Sequence, residues 1–424
     1  MFKVRESGSS VKTEIIAGVA TFMTMAYIIF VNPIILSEGA GMDFKSVMVA
    51  TCISSAITTL LMAFVANYPI ALAPGMGMNV FFSYELAKGM GVPWQICLGI
   101  VFLSGIIFIF LTLVGIREKI FIAVPDCMKF SIPVGIGIFI AFIGLKNAGI
   151  IVGSHETLVH IGDLKNKGTF ISITGFLITV ILVARKIKGA ILLGLIITAL
   201  LSVIFGTVEF SGKFFEIPSM SETFLKLDIK GALKPEYLTP VFIFLFFAMF
   251  DAIGTIIGIG EKAGFLKEGE FPRLNRALLV DATGSIIGSI CGTSTVTCYI
   301  ESSAGVAEGG RTGLANVITA ILFFIAMFFT PLAEIFNSYV VAPALIVVGA
   351  MMIETVKKIK WDDFSEALPA FLTIISMPLT FSITTGLTFG FISYTFVKLF
   401  IGRWREVNWI IYIITILIII GYFL

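Results

Sequence analysis

Apolar runs of about 17 to 25 residues recur along the whole of this chain, and that is the length an α-helix needs to cross roughly 30 Å of hydrocarbon. In lipid every backbone N–H and C=O must find a partner within the protein, so repeated runs of this kind point to an all-α polytopic bundle. Composition agrees: 58% of the 424 residues are hydrophobic and 13% charged, against roughly 25% charged in a soluble globular protein. The formal net charge is +2, with Lys and Arg in short connections, so no basic stripe offers a nucleic-acid surface. Cys52, Cys97, Cys127, Cys291 and Cys298 show neither metal-ligand spacing nor a secreted disulfide framework, and they read as small core residues. His155 and His160 fall in a polar loop without paired ligands, and no metal or cofactor is expected. The polar start, Met1 to Lys12, leads into a full-length run with no small-residue cleavage pattern, so the first helix is expected to be retained.

Seven spans are expected near Thr13 to Pro33, Ser46 to Ala66, Pro74 to Ala87, Trp94 to Gly115, Ile132 to Lys146, Thr169 to Ala184 and Ala190 to Gly206. Seven more follow near Thr239 to Gly260, Ala277 to Cys291, Ile300 to Ala307, Leu314 to Phe336, Val341 to Val356, Ala367 to Thr384 and Leu387 to Ile401. The chain thus divides into a first repeat (1–206), an extracellular linker (207–236), a second repeat (237–401) and an appended hydrophobic segment (402–424). An odd number of helices per half means that related halves are inserted in opposite senses. Alternate loops are basic: Lys3, Arg5 and Lys12; Arg117, Lys119 and Lys129; Arg185, Lys186 and Lys188; Lys262, Arg273 and Arg276; Lys357, Lys358 and Lys360; Arg403 and Arg405. That pattern predicts a multi-pass plasma-membrane protein with a cytoplasmic N-terminus. Trp409 to Leu424 would make a fifteenth crossing, or a short tilted helix.

The third and tenth segments are too short and too broken for ordinary spans. The third opens on Ala73-Pro74-Gly75-Met76-Gly77 and the tenth on Gly292-Thr293-Ser294-Thr295-Val296-Thr297, so each helix is expected to start late. Extended backbone at membrane depth must be buried in protein or line a wet cavity, and the two breaks can satisfy each other as a short antiparallel ladder. Their helix N-termini would then face one central site near mid-membrane, bringing Asn79 and Glu301 together.

Two acids fall at that depth. A lipid-facing carboxylate at Asp251 would cost at least about 2.5 kcal/mol, so Asp251 must face protein or water. Glu301 opens the tenth helix, where Gly305 allows a close helix approach. These acids can accept substrate N–H donors or carry a coupling proton; the bland alternatives are a structural carboxylate for Asp251 and an N-terminal helix charge for Glu301. Asn79 is either a helix cap or a substrate donor and acceptor. Asp281 is expected at the interface, paired with the loop bearing Arg273 and Arg276; Glu85 and Glu308 fall near helix ends; Thr24, Met25 and Tyr27 are expected to pack. Gly75-Met76-Gly77 lacks Rossmann spacing, Gly305 to Thr312 lacks a phosphate-loop Lys, and no hydrolytic triad can be assembled, so a membrane-embedded enzyme is the weakest reading.

Several stretches together resemble the nucleobase/ascorbate transporter superfamily (xanthine/uracil permeases), in its AzgA-like hypoxanthine, adenine and guanine branch. They are Thr24-Met25-Ala26-Tyr27-Ile28 with Val31-Asn32-Pro33, Ala73-Pro74-Gly75-Met76-Gly77-Met78-Asn79, Phe250-Asp251-Ala252-Ile253-Gly254-Thr255, and Glu301-Ser302 through Gly309-Gly310-Arg311-Thr312-Gly313. The resemblance runs almost end to end. It implies the uracil-permease fold, with helices one to four and eight to eleven as a core and five to seven and twelve to fourteen as a gate. It also implies proton-coupled purine uptake, with H+ as the coupling ion and a homodimer as an open option. By position it implies substrate contacts at Glu301, Asp251, Asn79, Thr255, Ser302 and Met78, and proton coupling at Asp251 and Glu301. Relatives commonly carry a second acid one turn before Asp251, where this chain has Ala248, a departure that bears on the proton route. The same fold class also hosts anion exchangers of the sulfate or bicarbonate kind, the competing substrate class.

Overall fold

A computed structural model describes residues 2–115, 123–210, 212–265 and 271–423; Arg117 and Lys119, two of the loop cations named above, lie outside them, as does Leu424. The first crossing is longer than expected. Helix α1 (Val11–Met25), capped by the Ser10 hydroxyl, turns at Ala26 and Tyr27 and continues as α2 (Ile28–Ala40), so Val11–Ala40 spans 30 residues. Pro33 sits inside α2 rather than ending it, since a proline lacking its N–H is tolerated in a membrane helix where neighbours re-satisfy the freed carbonyl.

Helix α3 (Phe44–Leu61) runs into a π-helical turn, Met62–Ala66, and then comes strand β1 (Leu72–Pro74). The short α4 (Met76–Val80) passes into a longer π-helical stretch, Phe81–Gly89. Next are α5 (Trp94–Val114), α6 (Asp126–Asn147), the hairpin β2 (Ile151–Ser154) and β3 (Leu158–Ile161), α7 (Lys167–Ala184) and α8 (Ala190–Ile204). His155 and His160 are exposed on that hairpin, as a polar loop would place them. The linker docks through Leu225 N–H to the Ile290 carbonyl and Asp228 N–H to the Gln95 carbonyl, and holds one turn, α9 (Ile229–Ala232).

The second half comprises α10 (Leu238–Ala263), α11 (Leu274–Cys291), β4 (Val296–Cys298), the single turn Ile300–Ser302, α12 (Ser303–Ala307) and α13 (Gly313–Ala326). Then come α14 (Ser338–Met352), α15 (Phe364–Thr380), α16 (Ile383–Phe400) and α17 (Trp409–Phe423). Among the described residues nine helices are long and apolar enough to cross a membrane, and Ala190–Ile204 and Phe364–Thr380 are shorter apolar helices.

Two packed groups position the site. In one, α1 lies on α13 and α12, α3 on α13 and α11, and α5 on α11 and α10. In the other, α6 packs on α14 and α15, α14 on α7, and α15 on α16. Glycines permit the tightest of these crossings: a side chain at Gly305 would strike Thr21 and the Ala17 carbonyl, and Gly137 and Gly349 face one another's backbone.

Candidate functional site at the paired helix breaks

Strands β1 and β4 pair antiparallel, with Leu72 opposite Cys298, Ala73 opposite Thr297 and Pro74 opposite Val296. The pairing extends beyond both strands. Gly75 N–H donates to the Thr295 carbonyl at 2.9 Å, Tyr299 N–H to the Ala71 carbonyl at 3.0 Å, and the Tyr299 hydroxyl to the Pro74 carbonyl at 2.6 Å. A two-stranded ladder has two open edges, and each is closed by a side chain from the helix preceding its strand. On the β1 edge, Thr59 of α3 accepts from Leu72 N–H at 3.0 Å and its hydroxyl lies 3.2 Å from the Leu72 carbonyl. On the β4 edge, Asp281 of α11 accepts from Cys298 N–H and from the Thr297 hydroxyl, both at 2.9 Å.

Asp281, expected at the interface beside Arg273 and Arg276, is therefore an interior residue that serves the β4 break. It is 1% exposed and bonded to the β4 break. The sequence reading failed because Arg276 already lies in the first turn of α11 and not in a loop, so Asp281 sits more than one helical turn further into the protein.

Glu301 sits in the turn between β4 and α12. The Tyr27 hydroxyl donates to its Oε1 at 2.6 Å, and the Thr24 hydroxyl lies 3.3 Å from its carbonyl oxygen. Tyr27 and Thr24, expected to pack, are thus site neighbours as well; Met25 is fully buried and does pack. No sequence signal announced them: Thr24-Met25-Ala26-Tyr27-Ile28 holds no helix breaker, and the Ala26–Tyr27 turn that brings this hydroxyl to the second half is seen only in the fold.

Asp251 on α10 is exposed in surface area while lying deep within the protein mass, which is the condition of a side chain lining an open cavity. Gly254 is likewise exposed, with open space where a side chain would be, and Gly258 meets only Ile300. Positions 251, 254 and 258 share one helix face, so this face of α10 forms a cavity wall. Asp251 lies near Thr297, Asp281, Glu301 and Tyr299. Ala248, where a second acid was sought, is 3% exposed within the core.

Asn79 does not cap a helix. It is fully buried on α4, its Oδ1 accepts from the Ser294 hydroxyl, and its Nδ2 has no partner among the described residues. The Ser302 hydroxyl oxygen accepts from Ala71 N–H at 3.0 Å, so it serves the ladder. Met78 is buried beside Gly75, and Thr255 is buried one turn beyond Asp251. Two further amides tie the breaks down. Asn32 donates to Thr51 and Thr293 at 2.7 and 2.8 Å, and Asn316 donates to the Ile70 and Tyr68 carbonyls at 2.7 and 3.0 Å.

Residues 12–389 match the Permease family of xanthine/uracil permeases, the nucleobase/ascorbate transporter family. The chain belongs to that family. A permease of Methanocaldococcus jannaschii is 51% identical over 418 residues, covering 98% of this chain and 96% of the relative. The adenine permease AdeQ of Escherichia coli is 44% identical, covering 96% of this permease and 92% of its own length. The guanine/hypoxanthine permease PbuO of Bacillus subtilis is 41% identical, and the match covers 100% of both chains. The motifs that carried the resemblance therefore identified the right family, one of transporters rather than enzymes.

In fold, this permease is similar to the transmembrane domain of a cyanobacterial bicarbonate transporter, with a TM-score of 0.68 at 15% identity over 89% of this chain and 97% of that one. A murine anion transporter, Solute Carrier 26 family member A9, gives 0.62 at 11% identity over 91% and 68%. Those likenesses concern the fold alone.

Proposed function

We propose that the permease imports purine nucleobases, namely hypoxanthine, adenine and guanine, by proton symport with alternating access across the plasma membrane. The observation that carries this reading is the convergence of Glu301 and Asp251 on two helix breaks that satisfy each other's backbone. Tyr27 occupies one oxygen of Glu301 and leaves Oε2 as an acceptor for a ring N–H, while the unpartnered Nδ2 of Asn79 supplies a donor once the site opens. Asp251, on the cavity wall, is the acid best placed to exchange a proton with water. Named purine permeases at 41 to 44% identity over nearly the whole chain support the substrate class. Three carboxylates in one cluster, Asp251, Asp281 and Glu301, disfavour the anions carried by the fold's bicarbonate-transporting relative.

The same reading gives fourteen crossings, counting α11 and the two broken segments with the long and shorter apolar helices, and a cytoplasmic N-terminus. Its inverted repeat is supported by the ladder edges: Thr59 and Asp281 do the same task from the second and ninth spans, equivalent places in two seven-helix halves. The packed group holding both breaks then acts as the core and the other group as the gate.

Uptake of labelled hypoxanthine, adenine or guanine into cells lacking purine permeases tests the substrate class. Glu301→Gln is expected to abolish binding while the protein still inserts, because charge-assisted acceptors are the stronger ones; near-normal calorimetric affinity would remove Glu301 from the site. Asp251→Asn is expected to retain exchange but lose pH-driven accumulation, and unchanged accumulation would route the proton elsewhere.

A further inference from the structure

Away from the ladder, one carboxylate joins the two packed groups. Glu85 lies on the π-helical stretch that continues α4, six residues beyond Asn79, and is only 8% exposed. Its Oε1 accepts from the Ser382 hydroxyl at 2.7 Å and from Thr384 N–H at 3.3 Å, and its Oε2 accepts from Ile383 N–H at 2.7 Å. These groups form the N-terminus of α16, whose cap Ser382 also accepts from Thr385 N–H at 3.0 Å. Beside it Glu38, in the last turn of α2, accepts from the Asn147 amide at the end of α6 at 3.0 Å. Both acids belong to the group that carries the breaks, and both sets of donors belong to the other group. A cavity of about 490 Å³ opens at this seam, lined by Tyr84, Glu85, Lys88, Lys146, Phe381 and Ser382 among others.

The chemistry suits a joint that holds and lets go. An ionised carboxylate on helix N–H groups makes charge-assisted bonds favoured by the helix dipole, so the closed seam is well defined. Water in the adjoining cavity can replace those donors one for one, so opening leaves no bare polar group behind. A purely apolar seam would have no such exchange. Glu85 is also continuous in chain with the half-helix bearing Asn79, so motion of the substrate site against α16 must pass through it.

We propose that Glu85 is a transport residue: a clasp between the substrate-bearing half-helix and the N-terminus of α16, whose release opens this end of the molecule. The proposal rests on the alternating-access reading above. Ile383 serves as reporter, because its side chain is buried at the clasp and the native cysteines at 52, 97, 127, 291 and 298 are all buried. In purified full-length protein, Ile383→Cys alone is expected to react slowly with a polar maleimide. Adding Glu85→Ala is expected to raise that rate about tenfold, and adding Glu85→Gln, which keeps one carbonyl acceptor, by less. Purine uptake is expected to fall in the same order while equilibrium purine affinity stays near the parent's.

A Glu85→Ala protein that labels at the parent rate overturns the clasp, even if it melts at a lower temperature, because a merely structural cap would act that way. Should Glu85→Ala fail to fold, Glu85→Gln carries the comparison, and parent-like labelling in it is equally fatal. The labelling rates require no purine, so a wild-type protein that takes up no purine defeats the functional reading without touching the clasp.

Discussion

At the scale of single residues, hydroxyl and amide partners decide which carboxylate oxygens are left for a ligand. The Tyr27 hydroxyl holds Glu301 Oε1 at 2.6 Å, so Tyr27→Phe should leave the acid in place but free to turn. A net hydrogen bond to a charged group contributes about 1.5 to 3 kcal/mol, so calorimetric purine affinity should fall roughly tenfold or more; unchanged affinity would reduce Tyr27 to packing. Asp281 is expected to behave differently from Asp251. Asp281→Ala strips two donors at β4 and should lower both melting temperature and purine affinity, whereas Asp251→Asn, on the cavity wall, should leave the melting temperature near the parent's. Equal losses of stability in both variants would contradict the division. Asp251 and Glu301 could be read from the chain because a charge inside an apolar helix always demands an explanation. Tyr27 could not, since its partner lies 274 residues away, and Asp281 was hidden by nearer arginines.

At the scale of elements, the two breaks were legible as breaks, because proline, glycine and β-branched runs oppose helix whatever surrounds them. Their pairing followed from the need to satisfy backbone in lipid. Its register did not, since that is set by Thr59 and Asp281 on helices whose sequences look like plain spans. The glycines of α11 were also silent in the sequence. A Cβ on Gly284 would strike the Val296 carbonyl oxygen and one on Gly288 the Ser294 carbonyl oxygen, both backbone atoms at the β4 break. Gly288→Ala is therefore expected to destabilise by about 1 to 3 kcal/mol through overpacking. Gly254→Ala, with open space around its position, should match or exceed the parent's stability because alanine favours helix by about 0.5 to 1 kcal/mol. Thermal unfolding in detergent compares the two, and similar melting temperatures for both variants would refute the close-approach account.

At the scale of the whole molecule, hydropathy foresaw a helical bundle and, as one of two options, a short appended helix at its end, but not the ion cluster that precedes that helix. Helix α17 has 15 residues, about 22 Å at the α-helical rise and shorter than the roughly 30 Å of a bilayer core. It is preceded by an ion cluster no periodicity announces: Lys398, wholly buried, bonds Glu406 at 2.7 Å, and Arg403 bonds both Glu406 and Asp363 at 2.7 Å. Ser365 and Arg403 hold the Asp363 carboxyl well below its ordinary range, and Arg403 and Lys398 hold Glu406 down to about 2. Both folded values lie below the unfolded ones, so the cluster's contribution is complete above about pH 4.5 and is lost as pH falls toward 2. Arg403→Ala should therefore move acid-induced loosening of α17 to higher pH. Hydrogen exchange of residues 404–416 across pH 3 to 6, set against about pH 4.5 as the reference carboxylate value, would show it; identical profiles would leave Arg403 without that role.

The ladder also dictates an order of events during synthesis. Leu72 waits for Cys298, 226 positions later in the chain, and a ribosome adding about 5 to 20 residues per second delivers that partner only some 11 to 45 seconds afterwards. Throughout that interval the first break holds unpaired peptide groups that lipid cannot solvate. The nascent first half must therefore stay in a hydrated or insertase-shielded setting until α11 has followed α10 and β4 has emerged, and a chain released early is one that cellular quality control can recognise.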